Sequence, residues 1–266
     1  MVMMITGDPQ ESESASILYQ DDHLVAMYKP SGMLVHPTKV DRHEQRIALP
    51  LLRDQIGQHL YPVHRLDKPT SGVLIFALDP DTARHLANAF QAHQVRKDYL
   101  AVVRGWPPLG GIIDQPLAPR DPDSRKRKRR KASQSAMTLY HRLACTSIPI
   151  SVDGRYTHTR YSLVRLRPVT GRRHQLRRHL KSRNHPLIGD VNYGKGIHNR
   201  FFREQYGLNR LMLCAVRMSF EHPVTSHPIE IQATPDEDFT SVAEAVGLPS
   251  GATGISCPVP DDPKIR

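Results

Sequence analysis

The chain has 266 residues but only three cysteines, Cys145, Cys214 and Cys257. They are odd in number and far apart, so they form neither a disulfide framework nor a metal-binding pattern, and they fit a reducing cytoplasm. No apolar run approaches the roughly 18 residues needed to cross a bilayer. Residues 1–16 are polar and acidic with no apolar stretch, so no signal peptide is expected there. Despite 15 histidines there is no His-Glu-x-x-His and no Cys-x-x-Cys. His174 and His179 are five apart, a poor spacing for joint ligation from one helix face, and no metal site is expected. Gly194-Lys195-Gly196 lacks the rest of a dinucleotide or Walker pattern, and no Gly-x-Ser-x-Gly elbow occurs. Metal-assisted, nucleotide-dependent and serine-nucleophile chemistries are therefore set aside.

What the chain does have is a globular balance and an excess of positive charge. Hydrophobic residues make up 39% and charged residues 24%, with a formal net charge of +11. That excess points to a polyanion, for which nucleic acid is the usual case, although many basic proteins bind nothing. The pattern of apolar residues predicts strands at 17–19, 24–28, 73–78, 95–104, 112–113, 137–145, 161–166, 211–220 and 229–233. It predicts helices at 45–58, after Asp79-Pro80-Asp81, at 172–181 and at 236–246. Asp79 is the expected N-cap and Pro80 the first helical residue. Along 95–104, Tyr99, Ala101 and Val103 fall on one side and Leu100 and Val102 on the other. Strands and helices mix without regular alternation, so the expected class is α+β with a large mixed or antiparallel central sheet flanked by helices. One domain over 16–247 is expected, between a disordered leader (1–15) and a disordered tail (248–266).

Two basic stretches stand out. Arg125-Lys126-Arg127-Lys128-Arg129-Arg130-Lys131 puts seven cations in a row within an expected loop insertion near 121–134. It repels itself and reads either as a phosphate-binding arm or as a solvated insertion. The second runs from Arg172 to Arg183. On a helix, Arg173 and Arg177 share a face, as do His174 and Arg178, while Leu176 and Leu180 bury a narrow stripe. Like charges at these spacings need compensating anions, which could be phosphates outside or a carboxylate inside.

The chain's other focus is His64-Arg65-Leu66-Asp67-Lys68-Pro69-Thr70-Ser71-Gly72, followed by an apolar strand. Pro69 to Gly72 supply turn chemistry at the mouth of a buried strand, a place where functional residues concentrate. Asp67 could simply pair with its neighbours in the turn. With the other chemistries set aside, a carboxylate, an aromatic hydroxyl and arginines remain. That set suits covalent catalysis by an Asp held ionised by a cation.

These residues resemble the RluA-type pseudouridine synthases. His64-Arg65-Leu66-Asp67-x-x-Thr70-Ser71-Gly72 is similar to that family's signature. Lys97-Asp98-Tyr99-Leu100-Ala101-Val102-Val103-Arg104-Gly105 is similar to its Tyr motif. The stretch Thr170 to His179 resembles its basic motif, and His185-Pro186-Leu187-Ile188-Gly189-Asp190 the motif after it. The likeness covers about residues 16–235 and is closest to the branch acting on uridine 65 of tRNA. It implies the pseudouridine synthase catalytic fold without an S4 domain. It also implies Asp67 as nucleophile, Tyr99 packing on the target base and Arg177 as the basic partner of Asp67. Arg65 would help extrude the uridine and fill its place, and His64, Arg173, His174 and Arg178 would contact RNA. The seven-cation run departs from the family's common pattern, and Lys126 and Arg127 within it are RNA-contact candidates on charge alone. An isomerisation needs no redox cofactor, nucleotide or metal. The expected partner is tRNA, alternatively ribosomal RNA, with no membrane involvement, and the expected state is a cytoplasmic monomer. A basic RNA-binding protein without catalysis is the rival from another class.

Overall fold

A computed structural model describes residues 14–37, 46–119 and 132–249. Within them the strands are β1 (Ser16–Gln20), β2 (Leu24–Lys29), β3 (Tyr61–Pro62), β4 (Ser71–Ala77) and β5 (Arg96–Arg104), then β6 (Gly110–Asp114), β7 (Met137–Ile148), β8 (Thr159–Pro168), β9 (Leu213–Glu221) and β10 (Pro228–Gln232). The helices are α1 (Ala48–Ile56), α2 (Pro80–Gln91), α3 (Gln175–Ser182), α4 (Gly196–Tyr206) and α5 (Glu237–Ala245). All the strands join one sheet in the order β1-β2-β4-β9-β5-β8-β7-β6, with β10 beside β9 and β3 beside β4. The sheet is mixed because β4 and β9 run parallel while the other pairs are antiparallel. The α+β expectation holds.

Alternation along the strands builds a core on each side of the sheet. Val25 and Met27 of β2, Leu74 and Phe76 of β4, and Tyr99, Ala101 and Val103 of β5 share one core with Ala48 and Leu52 of α1 and Leu176 and Leu180 of α3. On the other side Leu100 and Val102 meet Phe202 of α4 and Phe239 of α5. Val73, Ile75 and Ala77 form a further cluster with Leu86 of α2. The whole of β4 is buried, as its unbroken apolar run predicts. Each fully buried side chain of this kind contributes about 1.5–3 kcal/mol.

The join between β4 and β9 is short and close. It pairs only Ser71 with Cys214 and Gly72 with Ala215. Gly72 has φ 108°, and a Cβ there would sit 2.1 Å from the Ala215 carbonyl oxygen, so this approach admits glycine alone. Beyond that join, β4 finds other partners. His64 Nε2 accepts the Ile75 N–H at 2.9 Å, and β3 pairs with Phe76 and Ala77. A cleft opens here, bordered by the Asp67 loop, Phe90 of α2 and Tyr99 of β5.

Most elements lie where the sequence places them, including the Asp79 cap, whose side chain accepts from Thr82 N at 2.8 Å. Several boundaries and elements differ. The helix expected from Arg172 begins at Gln175. The Gln175 amide oxygen accepts from Thr170 Oγ1 at 2.6 Å and from Arg172 N at 3.0 Å, which holds 170–174 as a loop. Arg173 and His174 therefore precede the helix and do not share a helical face with Arg177 and Arg178. Helix α4 and the short β3 are additions. At the expected domain ends, Ala15 and Leu248 are buried. The run Arg125 to Lys131, with Lys126 and Arg127, lies outside the described residues.

Candidate active site

Asp67 sits on the loop between β3 and β4, closed by Thr70 N donating to Asp67 O at 2.9 Å. The loop is tied to the turn after β2. Gly32 N donates to Lys68 O at 2.9 Å, and Ser31 Oγ donates to Pro69 O at 2.8 Å. Beneath it, Lys29 is fully buried, and its ammonium donates to the carbonyls of Pro30, Met33 and Lys68 at 2.9, 2.9 and 3.1 Å. Burial and then the positive charge of Arg210 push the Lys29 pKa down to about 7, while Asp67 pulls it up. Lys29 is thus the buttress of that loop.

The Asp67 carboxylate is partly exposed and accepts from Arg177 Nη1 at 3.1 Å. Arg177 is itself buried and forked by Asp190, with Nε to Oδ2 at 2.7 Å and Nη2 to Oδ1 at 2.8 Å. Asp190 is fully engaged, because its Oδ1 also accepts from the N–H groups of Asn192 and Tyr193 at 2.9 and 3.0 Å. Burial pushes the Asp190 carboxyl up, but Arg177 and those two N–H groups outweigh it and hold the pKa below the usual value. Burial likewise lowers Arg177, and its two carboxylates more than restore it. A buried cation thus sits between a fixed carboxylate and one facing a cleft, a geometry that orients Asp67. Gly189 (φ 78°) lets this loop pass the Arg210 carbonyl, where a Cβ would lie 1.8 Å from the oxygen.

Asp67 borders two clefts, of about 490 and 500 Å³, that share Arg65, Leu66, Arg173, His174 and Arg177. Tyr99 lines the first; burial, and then the charge of Asp67, raise its pKa, so the phenol stays protonated. Arg65 is exposed at the rim of both. His174 has φ 54°, with its Nε2 3.8 Å from Asp67 Oδ1 and its Nδ1 3.0 Å from Tyr193 Oη. Burial first, then Arg177 and Arg173, lower its pKa against the pull of Asp67. The structure thus brings together Asp67, Tyr99, Arg177, Arg65, Arg173 and His174.

Two other expected RNA contacts are placed differently. Arg178 lines neither of these clefts. His64 lines the first cleft but not as a cation. Its ring accepts from Ile75 N and stacks on Phe90 at 4.6 Å, and burial, then Lys97, push its pKa down to about 3. Sequence reading missed the role of Asp190, although the His-Pro-Leu-Ile-Gly-Asp stretch ends on it.

A family model described as RNA pseudouridylate synthase matches residues 23–182, which include Asp67, Tyr99 and Arg177. The chain belongs to this family. A tRNA pseudouridine synthase C of Vibrio cholerae is 46% identical over 233 residues, covering 87% of this chain and 95% of that protein. One from Pasteurella multocida is 50% identical over 225 residues, 84% of this chain and 92% of that protein. The solved structure of human RNA Pseudouridylate Synthase Domain Containing 4 aligns with a TM-score of 0.66 at 27% identity, over 87% of this chain and 92% of that one. Family membership assigns the chain to the enzymes that isomerise uridine within RNA. No helix among the described residues is long and apolar enough to cross a membrane.

Proposed function

We propose that the chain is a tRNA pseudouridine synthase that isomerises the uridine at position 65, in the T-arm stem, with Asp67 as nucleophile. The observation that carries this reading is the Asp67–Arg177–Asp190 array at the wall of the cleft that holds Tyr99. The relatives named tRNA pseudouridine synthase C support tRNA as the substrate.

A paired uridine cannot be attacked inside its stem and must be flipped out, at a cost of a few kcal/mol. Arg65, exposed at the rim, has the flat guanidinium needed to stack in the gap. The uracil enters the first cleft and packs on Tyr99. Arg177 holds Asp67 aimed into the cleft. Asp67 bonds to the nucleoside, the glycosidic bond breaks, and the uracil turns over. C5 then joins C1′ and loses its proton, N1, freed from the sugar, takes one up, and Asp67 is released. Substrate and product have the same atoms, so the cycle consumes nothing. Arg173 and His174 lie beside Asp67 to meet the RNA backbone, and Lys126 and Arg127 supply further charge for phosphates. The reading takes the enzyme as a cytoplasmic monomer.

Carbodiimide mapping of tRNA and ribosomal RNA from a deletion strain tests this. The T-arm signal should vanish and return with the wild-type chain but not with Asp67→Ala. Loss of a ribosomal RNA signal with intact tRNA would move the substrate to ribosomal RNA.

A further inference from the structure

Three Lys and Arg residues are buried among the described residues: Lys29, Lys97 and Arg177. Lys29 has three carbonyl acceptors and Arg177 has two carboxylates. Lys97 has neither. It is 7% exposed and lines the first cleft, and its ammonium makes no hydrogen bond or ion pair among the described residues, facing only the Phe90 ring at 5.6 Å from Nζ to the ring centre. An ammonium withdrawn from bulk water without a partner is costly, and such a cost persists where a ligand supplies the missing charge.

The position of Lys97 says which charge that is. It lies two residues before Tyr99 on β5, so both side chains leave one face of the strand about 6.8 Å apart. Arg172 borders the same cleft, with its Nε donating to Ser135 O at 3.0 Å. The two cations act on a common neighbour, since burial, then Lys97, then Arg172, lower the pKa of His93. The stacked His64 and Phe90 rings complete this wall without adding negative charge. The carboxylate in the cleft, Asp67, is already paired with Arg177. Uracil and ribose are neutral, so the anion RNA carries into the cleft is phosphate.

The geometry points to a backbone-phosphate subsite in which Lys97, with Arg172 at the rim, holds a phosphate adjoining the flipped uridine while Tyr99 carries its base. This rests on reading the cleft as the RNA site. It gives the cleft a preference for a nucleotide within a chain over a free nucleoside, and it places the flipped nucleotide by two points, base and phosphate.

The test is a double perturbation. A stem-loop is made from the RNA site that the wild-type protein modifies, with a neutral methylphosphonate on the 5′ or the 3′ side of the target uridine. Affinity is read by fluorescence anisotropy and the single-turnover rate alongside it. One of the two methylphosphonates should weaken wild-type binding by about 10- to 100-fold, the loss of one charge-assisted hydrogen bond. Lys97→Met should weaken binding of the unmodified stem-loop similarly and lose nothing further on that methylphosphonate, whereas Lys97→Arg should restore both affinity and sensitivity. Losses that multiply at both positions overturn the subsite. So does a wild-type protein indifferent to both methylphosphonates, an outcome that needs no variant to fold. The choice of target is judged separately by which unmodified RNA gains pseudouridine, so a ribosomal target would move the stem-loop and leave the subsite to its own result.

Discussion

Asp190→Ala removes the fixed half of the array that holds Arg177. The Asp190 side chain is 0% exposed, and both its oxygens accept from the guanidinium, at 2.7 and 2.8 Å. Removing one partner of a buried ion pair leaves the other uncompensated and costs about 3–5 kcal/mol. At about 2–4 °C per kcal/mol for a chain of this size, Tm should fall by about 6–20 °C. Asp190→Asn should fare little better, because its amide turns N–H groups towards guanidinium N–H groups. Arg177 would keep Asp67 at Nη1 but lose its fork, and a misplacement of about 1 Å at a reacting carboxylate costs about 100-fold in rate. The pH dependence has a definite sign. The folded pKa of Asp190 lies below its unfolded value, so its contribution is complete above that unfolded value, near 4, and is lost as pH falls through the lower folded value. The Tm gap between wild type and Asp190→Ala should be constant from about pH 5 to 8 and close below about pH 4. Thermal unfolding across pH and single-turnover pseudouridine formation below the variant's Tm check both halves. An Asp190→Ala protein with wild-type Tm and rate refutes the reasoning.

Asp67→Asn should abolish pseudouridine formation while tRNA binding by filter assay stays within a few-fold of wild type; normal turnover would remove Asp67 from the mechanism. Gly72→Ala forces a Cβ to within 2.1 Å of the Ala215 oxygen at a positive φ, and should cost about 2–4 kcal/mol in denaturant unfolding. An unchanged midpoint would mean the β4–β9 join opens freely. Deleting residues 125–131 should flatten the plot of log K against log salt by about 0.9 for each phosphate the run touches, and an identical slope would show that it touches none.

The parts of the site legible in the sequence are those set by neighbours along the chain. Asp67 announces itself because a turn follows it and an apolar strand follows the turn. Tyr99 does so because strict alternation fixes its face. What brings Asp190 to Arg177, or Lys29 to Lys68, is packing between elements 13 and 39 residues apart, and no local period encodes it. The start of α3 misleads for a related reason. Arg172-Arg173-His174 continues a helical-looking pattern, but the Gln175 side chain captures the loop's own donors. Helix α4 was hidden by composition. It is polar, and its buried stripe includes a histidine, His198, whose Nδ1 meets Tyr161 Oη at 3.0 Å, four residues before Phe202.

The same distinction governs the net charge. A count of +11 treats every cation as available to a polyanion, yet Lys29, Arg167 and Arg177 are engaged by acceptors inside the fold. Asp98, buried on β5 next to Tyr99, takes Arg167 and Arg217 together and keeps a lowered pKa, burial notwithstanding, because those two arginines outweigh it. These arginines order the sheet beneath the cleft. Arg65, Lys97, Arg172 and Arg173 line it, and the proposed function and subsite assign them to RNA. The identity of the anion each cation faces, and not the sum, separates the residues that build this site from those that bind through it.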